Sequence, residues 1–515
     1  MAKVSLIFYT YQINTVGITS LSGFLKNKGH QVQIIYMLAP YDRFLDIFSD
    51  ALYAQVLEAC KDSDLIGLSV TSNYHLEAVK ATKILKKLNK PIVWGGVHPT
   101  LFPEGCIKEV DIISRGESEE ALFELVECIS QKKDYSDIKN LWVCLNDTDA
   151  NKVIKRNPLR PLFESLDNLP YPDIDFQSHL IAEGGNLKSI TPELMRKYMT
   201  SGNTWEGRID YYVATSRGCP YRCAYCCNNG LQNLYGVVRS RRKSPENVVR
   251  EIDRVLKIHP FINYIFLSDE DLFAQPLDFI KQFTELYKSK IKLPFKIEFT
   301  PSAFNEEKFK LLVDAGAVEC LIGVQTACDK TNKEMYERNI RVDRVCQVLN
   351  IIKSYKDRIK VCHVHLIVCN EMEPESSTRE TLDFVNRIDH FFNIRFFPLV
   401  HFPGTALYER AKKAGIVKED SYLLYLANAG LNQIEEIHRA DYYTVCFMII
   451  YLLKRSHSLR RFHKIFYAIC TNRLVSSIGR NKIFTKFLIA MYLSLQKAYA
   501  IEETLKNIKR LCRKK

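Results

Sequence analysis

The sequence predicts an α/β protein in three parts: a doubly wound parallel sheet, a six-fold strand–helix partial barrel of the TIM type, and a helical, basic C-terminal region. Three observations predict it. Apolar runs of strand length alternate with stretches of helical period, the pattern of parallel sheets covered by helices. A Pro-rich stretch without either period, residues 157–176, interrupts the alternation and reads as a linker. The charge is also split: residues 454–515 hold 16 Lys/Arg against Glu502 and Glu503, whereas the rest of the 515-residue chain carries 56 Lys/Arg against 57 Asp/Glu. The expected divisions are residues 1–140, a linker over 141–205, the barrel over 206–420 and the basic helices over 421–515.

In the first part, KVSLIFYTY reads as a buried strand, TSLSGFLKNKGH as a helix closed at Gly29, and QVQIIYML as the next strand. AQVLEACKDS (helix), DLIGLSVTS (strand), NYHLEAVKATKILKKLN (helix), PIVWGGVHP and DIISRGESE (strands) and EALFELVECIS (helix) follow. Ligands of such sheets sit at the carboxyl ends of the strands, where YTYQ, SVTSN, WGGVHP and RGESE fall. The second part supplies six strands: YYVATSRG, FINYIFLSDED, FKIEFTPS, AVECLIGVQT, KVCHVHLIVCN and NIRFFPLVHFPGT. Chemistry in a barrel of this kind belongs on the strand-to-helix loops.

Composition narrows the class. At 47% hydrophobic and 25% charged residues the chain is not mainly disordered. MAKVSLIFYTYQ runs straight into a strand with no secretory pattern, so the 16 cysteines point to reduced thiols in a cytoplasmic protein. The apolar run YYTVCFMIIYLL falls short of the roughly 20 residues a membrane span needs.

The loop after the first barrel strand, SRGCPYRCAYCCNNG, crowds four cysteines into nine residues. Cys219, Cys223 and Cys226 are spaced C-x3-C-x2-C, and clustered thiolates select zinc or iron–sulfur. A structural zinc site needs a fourth ligand, and the nearest histidines, His179 and His259, are remote in sequence. Cys227 directly follows Cys226, so the two side chains diverge. Three ligands leave one metal position open, as catalysis requires. A zinc-binding or redox-sensing interaction protein is the alternative of another class.

RGCPYRCAYC resembles the signature of the radical S-adenosylmethionine (SAM) enzymes. The resemblance implies a 4Fe–4S cluster on Cys219, Cys223 and Cys226 whose fourth iron binds SAM, and reductive cleavage of SAM to a 5′-deoxyadenosyl radical. It implies that Tyr225 lies near the adenine and that Glu270 or Asp271, in FLSDEDLF, faces the SAM amine. GVQT is similar to the segment that approaches the SAM carboxylate or ribose, which nominates Gln325 and Thr326. HFPGTALYERAKKAGI resembles the closing Pro-Gly-Thr segment of one subgroup. CNEMEPESSTRET departs from that subgroup's Gly-x-Pro-Gly-x-Thr-like turn.

With an α/β domain upstream, the chain resembles the cobalamin-binding class of these enzymes. That implies cobalamin contacts from Ser69 and Thr71 in SVT, Gly95, Gly96 and His98 in GGVHP, and Gly116 and Glu117 in RGESE. The Asp-x-His-x-x-Gly motif of the lower axial ligand is absent from YTYQINTVG, so cobalamin would lack a histidine from this domain or carry another axial group. A flavodoxin-like module that has lost its cofactor is the other reading. The implied reaction is methylation of an unactivated carbon, with cyclisation, rearrangement, or radical SAM chemistry without cobalamin as alternatives. The implied partners are a small-molecule or lipid substrate and an electron donor such as flavodoxin or ferredoxin. For the basic tail three roles stand open: a helical cap, peripheral membrane contact through residues 442–515, or an anionic partner. Nucleic acid is not expected, because no aromatic-and-basic strand platform is visible.

Overall fold

The computed structural model describes residues 1–39, 47–145, 153–200, 207–417, 440–479 and 481–512. The chain divides into two compact units. One comprises residues 1–298, 307–317 and 401–430; the other comprises 299–306, 318–400 and 431–515.

The first unit opens on a nine-stranded sheet. Its parallel centre is β1 (Lys3–Thr10), β2 (Gln31–Leu38), β3 (Leu65–Ser69), β4 (Ile92–Gly95) and β5 (Ile112–Ser114). The order 5-4-3-1-2 reverses direction at β1, as in a doubly wound sheet. Its strands are mostly apolar because helices cover both faces; Ile66, Leu68, Trp94 and Ile113 are buried in one cluster. The first helix, Val16–Asn27, ends where the sequence places the stop, with Gly29 at φ 88°. PIVWGGVHP does not stay extended: Gly96, at φ 96°, turns the chain and Val97–Leu101 is helical.

The boundary at residue 140 differs from the expectation. Residues 141–205 are not only linker: β6 (Leu141–Cys144) and β7 (Ile154–Arg156) extend one edge of the sheet, and β8 (Leu180–Glu183) and β9 (Asn186–Ser189) extend the other. Strands of three and four residues are too short to show a period in sequence, whether paired in parallel, as β8 with β2, or antiparallel, as the others. Residues 157–176 themselves are irregular, as their prolines predict. Asp173 pins them down, accepting from Ser22 Oγ (2.5 Å) and Lys26 Nζ (2.7 Å) and pairing with His179 Nε2 (3.1 Å).

All six barrel strands are present, each followed by helix. In the first unit β10 (Asp210–Val213), β13 (Tyr264–Leu267) and β14 (Phe295–Phe299) pair in parallel. A two-stranded ribbon, β11 (Ser216–Arg217) with β12 (Arg241–Arg242), frames the cysteine loop. In the second unit β15 (Ala317–Gln325), β16 (Val361–Val368) and β17 (Phe392–Pro398) pair in parallel.

The second unit also holds the C-terminal helices. The expected helical run from residue 421 lies outside the described residues up to 439. Beyond it, the Tyr442–Arg455 helix is buried almost all round: Phe447 packs tilted and Tyr451 edge-on against Phe396, and Tyr451 donates to Asn393 Oδ1 (2.6 Å). Lys454 Nζ donates to the carbonyls of Val385 (3.1 Å) and Asn386 (2.8 Å), at the C-terminus of helix Glu375–Arg387, where a cation suits the helix dipole. Burial holds its ammonium down at about 8. Among the described residues no helix is long and apolar enough to cross a membrane.

Candidate cofactor site

The cysteine loop is short, irregular and tightly laced. Gly218, at φ 89°, starts it; a Cβ there would stand 2.6 Å from the Arg239 carbonyl. Helix Cys227–Tyr235 then returns hydrogen bonds to it. Gln232 donates to the carbonyls of Cys219 and Tyr221 (3.0 Å to the latter), and Asn229 donates to the Arg222 carbonyl (2.7 Å). The Pro-Gly-Thr segment closes the other side: Leu407 N–H donates to the Ala224 carbonyl (2.8 Å). A Cβ on Gly230 would lie 2.5 Å from the Gly404 carbonyl, and one on Gly404 would lie 2.6 Å from Leu101 Cβ, so each glycine permits a close approach.

The loop's chemistry fits a multi-iron centre better than a single ion. Among the described residues, the group of His, Cys and acidic side chains whose ligand atoms all lie within 4.8 Å of one another is His75, His98 and Cys106; the loop cysteines do not converge so closely. A cubane puts each sulfur on a different iron and needs that wider spread. Burial pushes the Cys219 thiol up to about 12, and the hydrogen bond with Cys227, then burial, pushes Cys226 up; the Cys226 and Cys227 side chains therefore meet, where the sequence predicts that they diverge. Thiols so placed need a compensating cation to ionise. Tyr225 is half-buried beside them.

The acidic run at the end of β13 separates into three roles that the sequence leaves together. Asp269 is buried and braces the start of the loop, accepting from Thr215 Oγ1 (2.8 Å) and from Ser216 Oγ. Asp271 is buried and caps a turn, accepting from Phe273 N–H (2.9 Å). Glu270 alone keeps its surface open while protein surrounds it. Desolvation, with Glu298 and Asp269 nearby, pushes its carboxyl up, and it sits close enough to Cys219, Cys226 and Cys227 to disfavour their ionisation.

The strand ends of the first sheet face this loop across a cavity of about 310 Å³. Gly96, Thr100, Gly116 and Glu117 line one wall, and Arg217, Cys219, Gln232 and Tyr235 line the other. A narrower slot of about 40 Å³ continues between sheet and helices, lined by Gly67, Ser69, Gly95, Gly96, Ser114 and Ser118 among others. Small residues hold this slot open; a Cβ on Gly67 would stand 2.8 Å from the Leu6 side chain. Glycines at these strand ends let backbone approach a flat ligand, and the Ser69, Ser114 and Ser118 hydroxyls can bond a nucleotide tail, so the residue types fit cobalamin.

Several contacts across the cavity were not readable in the sequence. Tyr235 donates no motif, yet its hydroxyl accepts from Glu117 N–H (2.9 Å) and fills the space over Gly116, where a Cβ would fall 1.8 Å from it. Glu117 pairs with Arg241 (3.1 Å to Nη1) and approaches Arg217 (3.7 Å), which in turn pairs with Glu119 (2.7 Å). Asn14, in the loop that lacks the axial motif, donates to the carbonyls of Met199 and Asp210, both 2.9 Å. Opposite charges and polar groups at scattered positions carry no spacing signal; only the fold brings them together.

Ser69 and Thr71 stand at the end of β3, with Ser69 at the slot. His98 lies behind the cavity wall, buried, with Nδ1 2.9 Å from Ser72 Oγ and its ring 4.9 Å from that of His75. Burial holds both imidazoles neutral, down to about 3 and about 4. Gln325 and Thr326 belong to the second unit. Gln325 ends β15 at φ 72°, and the buried Thr326 hydroxyl donates to Glu373 Oε1 (3.0 Å). Arg338 fixes the same turn through the Val324 (3.0 Å) and Gly323 (2.8 Å) carbonyls.

Comparison with known proteins gives two family matches. The radical SAM superfamily model covers residues 213–385, and the B12 binding domain model covers residues 3–126. The chain belongs to the cobalamin-binding radical SAM enzymes. It is 25% identical to an uncharacterised methyltransferase of Pyrococcus horikoshii over 77% of this chain and 78% of that one. It is 25% identical to the anaerobic magnesium-protoporphyrin IX monomethyl ester cyclase of Rubrivivax gelatinosus over 70% of this chain and 60% of that one. Its fold matches the cobalamin-dependent SAM radical enzyme OxsB, with aqua-cobalamin and SAM bound, at a TM-score of 0.67, 15% identity and coverage of 100% and 81%. The cofactors of this cobalamin-binding radical SAM enzyme are thus a 4Fe–4S cluster, SAM and cobalamin.

Proposed function

We propose that this enzyme methylates an unactivated carbon of a small-molecule or lipid substrate. Reductive cleavage of SAM at the cluster supplies a hydrogen-abstracting radical, and methylcobalamin supplies the methyl group. The observation that carries the proposal is the cavity walled on one side by Gly96 and Gly116 of the cobalamin-type sheet and on the other by Cys219. With both cofactors bound, Cys219 on one wall and Gly96 and Gly116 on the other would hold the two reacting groups at one cavity.

In this reading Cys219, Cys223 and Cys226 hold the cluster, and Tyr225 flanks the adenine. Glu270, the open acid of its run, receives the SAM amine, while Asp271 acts through the turn it caps. Gln325 and Thr326 approach the SAM carboxylate or ribose. Ser69, Gly95 and Gly96 take the nucleotide tail of cobalamin, Thr71 and Gly116 border the corrin, and His98 and Glu117 hold the loops that do so. Electrons come from a flavodoxin or ferredoxin; of residues 442–515, the Tyr442–Arg455 helix is buried in the protein, so a membrane surface is met by the helices beyond it. The cyclase among its relatives favours ring closure as the second reading.

Anaerobic reconstitution with iron, sulfide and hydroxocobalamin tests both readings. The protein should be brown, hold about four irons, and retain cobalamin through gel filtration. With reductant, SAM and candidate substrates, methylation yields 5′-deoxyadenosine together with S-adenosylhomocysteine, the latter from re-methylation of cobalamin. Cyclisation yields 5′-deoxyadenosine without S-adenosylhomocysteine. A colourless, zinc-bearing protein overturns both.

A further inference from the structure

We infer that the consecutive helices His463–Thr471, Arg473–Gly479 and the start of Lys482–Cys512 form a docking face for an anionic lipid bilayer. The inference does not depend on which reaction the cofactor site performs.

The first observation is a doubled apolar pattern. These helices have an inner side that is buried, through Cys470, Leu488, Ile489 and Tyr492, and Tyr442 donates to the Cys470 carbonyl (3.1 Å). A helix that merely caps a domain shows water a polar outer face. Here each helix instead exposes an apolar pair at i, i+4 spacing: Ile465 and Ile469, Leu474 and Ile478, Ile483 and Phe487. The exposures are large, 59%, 77%, 79% and 63% for Ile465, Leu474, Ile483 and Phe487. One such residue on a surface means nothing; three successive pairs on adjoining helices do.

The second observation is charge. Residues 442–501 contain ten Lys/Arg and no Asp or Glu. Lys464, Arg473 and Lys486 stand beside the apolar pairs, are exposed, and have no side-chain partner among the described residues. A surface under selection only for solubility mixes both signs.

An anionic bilayer complements both features at once. Its headgroups take the cations, and the acyl boundary takes the aliphatic side chains. Nucleic acid offers phosphates but no apolar layer for isoleucine and leucine. His463–Thr471 and Arg473–Gly479 are too short to cross the membrane, and the 31-residue Lys482–Cys512 is not apolar enough, so they lie in its plane.

The test uses the full-length holoprotein with phosphatidylcholine vesicles, with and without phosphatidylglycerol. Cosedimentation is expected with the anionic vesicles and should be weak without phosphatidylglycerol. Leu474→Asp with Ile478→Asp, or Ile483→Asp with Phe487→Asp, should lower partitioning at least about tenfold with iron content and circular dichroism unchanged. Lys464→Gln and Lys486→Gln should each lower it about fivefold. Should the aspartate variants misfold, Phe487→Trp reports directly: its emission shifts to the blue on anionic vesicles. The proposal is overturned if the holoprotein stays in the supernatant at low salt, or if the tryptophan emission does not move. It is equally overturned if the apolar variants bind normally and salt alone releases them, the behaviour of a face that takes only charge, such as one for nucleic acid or an acidic protein.

Discussion

The two walls of the cofactor cavity are built in opposite ways. The cysteine-loop wall is contiguous in the chain: Cys219, Cys223 and Cys226, the proposed ligands, fall within eight residues, and the helix that follows at once, Cys227–Tyr235, supplies Gln232 and Asn229 to fix the loop backbone. The sheet wall is dispersed, collected from the ends of β3, β4 and β5 over some fifty residues, each contributing a glycine or a hydroxyl. The difference teaches where each wall is vulnerable. The first depends on which side chains are present, the second on how closely backbone can approach.

The largest expected effect breaks the first wall alone. Cys219→Ala should abolish the brown colour and all 5′-deoxyadenosine formation while cobalamin is still retained on gel filtration; a variant that keeps the colour would remove Cys219 from the ligand set. A smaller and opposite effect follows from Gly96→Ala. At φ 96°, with a new Cβ 2.8 Å from the Val70 carbonyl, this backbone must shift, at a cost of about 1–3 kcal/mol for the dihedral strain alone. Cobalamin retention should fall about tenfold or more with iron content unchanged, measured on the same sample by absorbance and iron assay. Loss of both cofactors together would mean that the walls are not separable.

The smallest effect should touch neither wall. Burial pushes the Asp173 carboxyl up, but His179, Lys26 and Ser22 outweigh it and hold the group well below the usual carboxylate range. A depressed folded-state value stabilises the protein above the unfolded carboxylate value near about 4 and is lost as pH falls below it. Asp173→Asn should therefore cost about 1–3 kcal/mol at neutral pH. The gap to wild type should narrow as the buffer is taken below about pH 4, seen as converging melting temperatures. Both cofactors should remain bound. A gap independent of pH would assign the loss to packing instead.

The sequence by itself determined the alternation of strand and helix, the order of the parts and the close spacing of Cys219, Cys223 and Cys226, because periodicity and spacing are properties of neighbouring residues. It did not determine the edge strands within residues 141–205, which are too short to carry a period. Nor did it sort Asp269, Glu270 and Asp271, adjacent residues of like chemistry whose brace, opening and cap are distinguished only by what folds against each. Tertiary structure alone decided that Tyr235 closes over Gly116, that Glu117 meets Arg241, and that the C-terminal helices turn a second apolar face outward. Contact between residues more than a hundred positions apart depends on the path of the backbone, and no local pattern of side chains encodes that path.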